Sequence, residues 1–191
     1  NDYNKKETLV AMFDDSRVDK ETRLKSLHKC LNKVFEAFPV EGDKVTFIGS
    51  TFLNYGEEKP HFNHCIVLGD CDNIDAENTE IQCCKTERDL LLAWKDIINK
   101  EDPDIIIGYN IFGFDYNFMF KRAQEMSCDT EFLKMSRNKN EKCYTENYRT
   151  KERTIEESSV VLASGQYDLN HIKMNGRLQI DLYTHFRKDF N

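Results

Sequence analysis

Ile105-Ile106-Ile107 is the stretch that most restricts what this chain can fold into. Three β-branched residues in a row stiffen the side chains and favour an extended backbone. Breakers stand on both sides: Asp102-Pro103 stops any preceding helix, and Gly108-Tyr109-Asn110 follows. An unbroken apolar strand is the pattern of one covered on both faces, so Asp104 to Tyr109 is predicted to be an interior strand. Ahead of it, Leu90, Leu91, Trp94, Ile97 and Ile98 recur at helical spacing. Thr86 suits the cap of that helix, and Asp89 stands where a capping-box acid belongs. Behind the strand, Phe118, Met119 and Arg122-Ala123 predict a second helix from about Tyr116 to Met126. Helix and strand alternate, which sets the class as α/β or α+β.

The remaining chain adds strands and one more helix. Leu24, Leu27, Leu31, Val34, Phe35 and Phe38 share a face and predict a helix within Val18 to Phe38, ended by Pro39 and Gly42. Val45 to Leu53 and His61 to Leu68 read as hairpin strands around the turn Asn54-Tyr55-Gly56-Glu57, with a short strand near Ile81–Cys84. Ser127 to Asn175 is polar and gives little pattern, apart from hairpin arms at Ser159–Ala163 and Tyr167–Ile172 around Gly165. Arg177 to Tyr183 alternates Leu178, Ile180 and Leu182 and reads as a strand. No domain boundary is visible before Ser127.

Charge and cysteine usage narrow the class further. With 27 Lys and Arg against 34 Asp and Glu, the net charge is −7, which argues against unaided binding of a polyanion. Lys121 to Arg153 is locally basic, and reads either as a solvated face or as a weak nucleic-acid contact. Seven cysteines are scattered with no Cys-x-x-Cys pair, the usage expected of reduced thiols in an intracellular protein and not of a zinc site or disulfide framework. No apolar run reaches bilayer length, and no secretory pattern opens the chain. It begins at Asn1 instead of methionine, so an internal segment of a longer protein is expected.

Asp115 is the candidate for chemistry. It follows the strand end at Gly108-Tyr109-Asn110 and opens the next helix, and strand ends are where ligands gather in α/β sheets. Its carboxylate is a hard oxygen donor suited to Mg²⁺ or Mn²⁺. Two such ions together can activate water and stabilise a departing 3′ oxygen in phosphodiester hydrolysis. The other reading of the same residue is a helix cap, where aspartate is favoured. The residues alone leave both open.

Asn110-Ile111-Phe112-Gly113-Phe114-Asp115 resembles the second exonuclease motif of family B DNA polymerases, and Asp102 to Asn110 resembles its lead-in. Phe47-Ile48-Gly49-Ser50-Thr51-Phe52 is similar to a core strand of that exonuclease. Glu87 to Trp94 is similar to the helix before the motif, and Gly176-Arg177-Leu178-Gln179-Ile180-Asp181 to the G-R-x-Q-x-D strand beyond it. These landmarks lie in the family's order across about residues 44–183. The resemblance implies a partial 3′→5′ exonuclease domain over residues 1–191, with a ribonuclease-H-like fold: a mixed sheet flanked by helices, and an inserted β-hairpin at about 152–175. It implies that Asp115 is a catalytic, metal-binding carboxylate of a site for two Mg²⁺ or Mn²⁺ ions, with Asn110 and Phe114 beside the 3′-terminal nucleotides. Tyr109 and Gly113 are expected to be structural, Gly113 through a permissive backbone.

The resemblance also implies partners: primer-template DNA, a single-stranded 3′ end, deoxynucleotides for the whole enzyme, and a sliding clamp. No membrane partner is expected, and the compartment is left open between the nucleus and a viral replication site. Departures from the family pattern bear on activity. The first exonuclease motif, Asp-x-Glu on a strand, has no match here; Phe13-Asp14-Asp15-Ser16 places serine where glutamate is needed. The third motif, a Tyr and an Asp on a helix, is expected beyond Asn191, and the palm motifs are absent from these residues as well. The segment alone is therefore expected to be inactive, since one carboxylate cannot hold two metals. The competing class is an exonuclease-like module that has lost catalysis and only holds DNA or a partner.

Overall fold

The computed structural model describes residues 16–37, 42–72, 74–162 and 165–189. The chain divides into two compact units, residues 1–43 and 44–191. In the first, α1 (Lys20–Ala37) occupies the stretch expected to be helical. Asp19 starts it, its Oδ1 accepting the Thr22 N–H at 3.0 Å and satisfying one free amide of the first turn. The expected stop at Pro39 and the Phe13-Asp14-Asp15 triplet lie outside the described residues.

The second unit opens with β1 (Phe47–Phe52), β2 (Phe62–Leu68) and β3 (Thr79–Cys84). β1 and β2 form the expected hairpin, with Phe47 opposite Val67 and Phe52 opposite Phe62. Gly56 sits at φ 89° in the connecting turn, a left-handed position that a side chain would strain. β3 then lies parallel to β2, Asn63 beside Thr79. In α2 (Glu87–Glu101) the cap is as expected: Thr86 Oγ1 accepts the Asp89 N–H at 3.1 Å and donates to the Asp89 carboxylate at 2.7 Å.

β4 (Ile105–Gly108), a π-helical turn (Ile111–Asp115) and α3 (Tyr116–Glu125) follow. The stretch that was hard to read holds α4 (Asp129–Phe132), the short antiparallel pair β5 (Thr145–Glu146) and β6 (Arg153–Thr154), and the longer antiparallel pair β7 (Glu156–Leu162) and β8 (Gly165–His171). β9 (Leu178–Asp181) returns parallel to β4, placing Ile105 beside Leu178 and Gly108 beside Asp181. α5 (Leu182–Asp189) ends the described chain. The class is mixed α/β, with parallel and antiparallel pairing.

The expected mixed sheet is β1-β2-β3, antiparallel then parallel, with β4-β9 paired separately. Two expectations need correction. The isoleucine strand is not covered on both faces, and Ile107 is 58% exposed. Among the described residues β4 is paired on one side only, and its isoleucines line an open groove. Leu182 and Tyr183 are helical instead of extended, because Asp181 caps α5: its Oδ1 accepts the Tyr183 N–H at 2.9 Å.

The core is centred where α2 meets β2, and its Trp94, Ile98 and Met119 also form the floor of the groove. Leu90, Leu91 and Ile66 are fully buried where α2 packs on β2, and the Trp94 ring stands 5.9 Å from Phe132. Each such aliphatic side chain contributes about 1.5–3 kcal/mol by leaving water. One ion pair is sealed in this core. Glu87 Oε1 accepts the Val45 N–H at 2.8 Å and the Arg122 Nε–H at 2.7 Å, and Arg122 also reaches Oε2. Burial pushes the Glu87 carboxyl up, but the bonds from Arg122 and Val45 outweigh it and hold the group below its ordinary value. The pair fastens α2 to α3 and to the lead-in of β1. Other arginines of the locally basic stretch are similarly engaged: Arg137 with Asp102 and Asp104, Arg153 with Asp129.

Candidate active site

Parallel strands bring their carboxyl ends together, and here β4 and β9 end at paired Gly108 and Asp181. Two close approaches shape the loop that leaves β4. A Cβ on Gly108 would stand 2.3 Å from Ile111 Cγ2, and one on Gly113 would stand 2.3 Å from Asn110 Oδ1. A side chain at Gly113 would therefore have to displace the Asn110 side chain. The left-handed backbone expected of it falls on Asn110, at φ 61°.

Asp181 holds this loop. It is buried, and its carboxylate accepts the Asn110 N–H at 2.7 Å and the Phe112 N–H at 2.9 Å as well as that of Tyr183. One side chain thus fixes the start of the π-helical turn and the start of α5. The Asn110 carbonyl completes the turn, accepting the Phe114 N–H at 3.0 Å. Asn110 fastens the loop through its backbone, and its side chain makes no capping bond.

Asp115 stands at the first turn of α3 in right-handed helical conformation, and its side chain caps nothing. The carboxylate opens onto a groove of about 620 Å³ lined by β1, β4 and the apolar face of α3, including Phe47, Ile107, Phe114 and Met119. Its walls desolvate the carboxyl and the nearby Asp181 charge repels it, so its pKa lies above the usual carboxylate value. Beside it the Tyr116 ring is buried, its hydroxyl has no partner, and burial raises its pKa further above that of an ordinary phenol.

The family model for the exonuclease domain of family B DNA polymerases matches residues 26–191. The chain belongs to this family. It is 40% identical over 195 residues to a DNA polymerase of Phaeocystis pouchetii virus, covering 98% of this chain and 18% of that protein. It is 35% identical over 153 residues to a DNA polymerase of Pyramimonas orientalis virus, covering 80% and 12%. With the DNA polymerase delta catalytic subunit of Oryza sativa subsp. japonica the identity is 32% over 151 residues, covering 78% and 12%. The chain thus spans less than a fifth of the length of these curated relatives.

Within the exonuclease domain, Phe114 and Asp115 line the groove, and Asn110 opens the turn that carries them. Phe114 is 56% exposed and stacks on Phe118 at 5.3 Å, so its ring is not a core residue. Sequence reasoning missed the site role of Asp181, although the G-R-x-Q-x-D strand ends on it. The His171 ring packs 4.2 Å from Phe112, and burial lowers its pKa. Among the described residues no cluster of three or more His, Cys, Asp or Glu side chains could hold a metal. No helix among them is long and apolar enough to cross a membrane.

Proposed function

We propose that this chain is part of a ribonuclease-H-like 3′→5′ proofreading exonuclease, which removes mismatched nucleotides from a primer within a DNA-directed DNA polymerase. The observation that carries the reading is Asp115: a carboxylate with no capping bond, at the mouth of a groove where two parallel strands end. Its chemistry fits Mg²⁺ or Mn²⁺, since it is a hard oxygen donor without a capping role. A pair of such ions, when bound, activates water and stabilises the departing 3′ oxygen. Asp181 has its oxygens engaged by three N–H groups, so its part is to hold the loop that carries Asp115.

One carboxylate does not complete a two-metal site, and the reading draws the remaining ligands from elsewhere in the polymerase. The groove supports this. β1 and β4 both line it, and among the described residues each has a strand partner on one side only. A strand laid between them would join the two sheets, cover Ile105 and Ile107, and bring its own acids to Asp115. The segment alone is accordingly inactive. Asn110 and Phe114 stand beside the 3′-terminal nucleotides, where the exposed Phe114 ring offers a base a stacking surface. The antiparallel β7–β8 pair supports reading this segment as the family's hairpin insert. Primer-template DNA is the substrate; deoxynucleotides and a sliding clamp belong to the whole enzyme.

The test compares full-length protein with its Asp115→Ala variant on a primer carrying a 3′ mismatch, with Mg²⁺ present. Mismatch removal is expected to fall by orders of magnitude while primer extension survives. Unchanged removal would overturn the reading and favour a DNA-holding module without catalysis.

A further inference from the structure

We propose that Tyr109, Tyr183, Tyr167 and Arg187 form a stacking platform that receives the single DNA strand leading to the end held at Asp115. The inference rests on the exonuclease reading above and names a surface that the motif does not contain.

Position is the first argument. Tyr109 follows the last residue of β4 and Tyr183 lies two residues beyond the last of β9, so both emerge where the Asp115 loop begins. The Asp181 carboxylate binds the N–H of Asn110 and the N–H of Tyr183, which ties both tyrosines' backbones to the loop carrying Asp115.

Ring geometry is the second. Tyr109 meets Tyr183 edge to face at 5.6 Å and 84°, and Tyr183 meets Tyr167 at 6.1 Å and 71°. The Arg187 guanidinium lies over Tyr183 at 5.1 Å and over Tyr167 at 5.8 Å, and its Nη1 donates to the Tyr167 hydroxyl at 3.3 Å. These contacts hold the rings without covering Tyr109, which is 65% exposed.

Packing of α5 on β8 accounts for Tyr167 and Tyr183, and leaves Tyr109 unexplained. An exposed ring held against a second ring suits bases of any sequence, because every base has a π face, and the Arg187 guanidinium over that second ring attracts phosphate. In a chain of net charge −7, such a local cation also relieves the general repulsion of DNA.

The experiment uses full-length protein with Ca²⁺ in place of Mg²⁺ to suppress hydrolysis, and follows oligothymidylate binding by anisotropy. Tyr109→Ala is expected to weaken binding roughly five- to a hundredfold, while Tyr109→Phe, which keeps the ring, retains it. Arg187→Ala is expected to weaken it and to reduce its salt dependence. With Mg²⁺ restored, Tyr109→Ala should raise KM for mismatch removal and leave kcat in place, the signature of lost strand binding. Unchanged affinity in Tyr109→Ala overturns the platform, as does a Tyr109→Phe variant as weak as the alanine one. The two readings fail separately. Loss of removal in Asp115→Ala with unchanged binding in Tyr109→Ala sinks the platform alone, whereas intact removal in Asp115→Ala sinks the exonuclease reading.

Discussion

The two sides of the second unit follow different rules. Where α2 meets β2, Leu90, Leu91 and Ile66 have no exposure, and the buried Glu87–Arg122 pair has its hydrogen bonds met. Across the unit, Ile105, Ile107, Phe47 and Leu178 are all exposed, although their chemistry is equally apolar. The first side is a finished interior. The second is an interior face around a groove, with Asp115 at its mouth. The difference teaches that burial here depends on which strand edges have partners, and that the candidate chemistry sits on the side where they do not.

Breaking the finished side should have the largest effect. Arg122→Ala leaves Glu87 buried without its cation and is expected to cost about 3–5 kcal/mol in chemical denaturation. The same pair gives a pH signature. Glu87's folded pKa lies below its ordinary 4.5, so its contribution is present above that value and lost as pH falls through the lower folded one. The variant should lack that acid-side loss; a parallel pH profile would show that the pair is not the source.

A second contrast sharpens the comparison directly. Leu90→Ala is expected to cost about 2–5 kcal/mol, while Ile107→Thr in this chain costs less than about 0.5 kcal/mol. Placed in the full-length protein, Ile107→Thr should become costly, about 1–3 kcal/mol, if a strand closes the groove over it. Equal small losses in both settings would mean that the groove stays open.

The smallest effect belongs to Asp115 itself. Its folded pKa is raised above the ordinary 3.8, so the charged form is disfavoured in the folded chain. The stability it lends is present below that ordinary value and lost as pH rises through the folded one. Asp115→Asn should therefore raise the melting temperature slightly at neutral pH, with the gain vanishing in acid. A lower melting temperature at neutral pH would instead mark Asp115 as a structural residue.

What could be read without the structure was local. Thr86 and Asp89 lie three residues apart, and their capping follows from side chains that reach neighbouring amides. The α2 stripe and the β1–β2 hairpin are likewise written in spacing and in one turn. Asp115 stood out because the motif around it is contiguous. Asp181 did not: its bond to Asn110 spans 71 residues, and no pattern near either residue announces the other.

The sequence by itself determined α1, α2, α3 and the β1–β2 hairpin, the family and the loop that presents Asp115, because periodicity, caps and a contiguous motif need only neighbouring residues. Only the tertiary structure decided that Asp181 anchors that loop, that Phe114 faces solvent, and that the isoleucine strand lies open. Each of these depends on what the chain brings back from far away, and an apolar strand is buried only by the neighbours it finds.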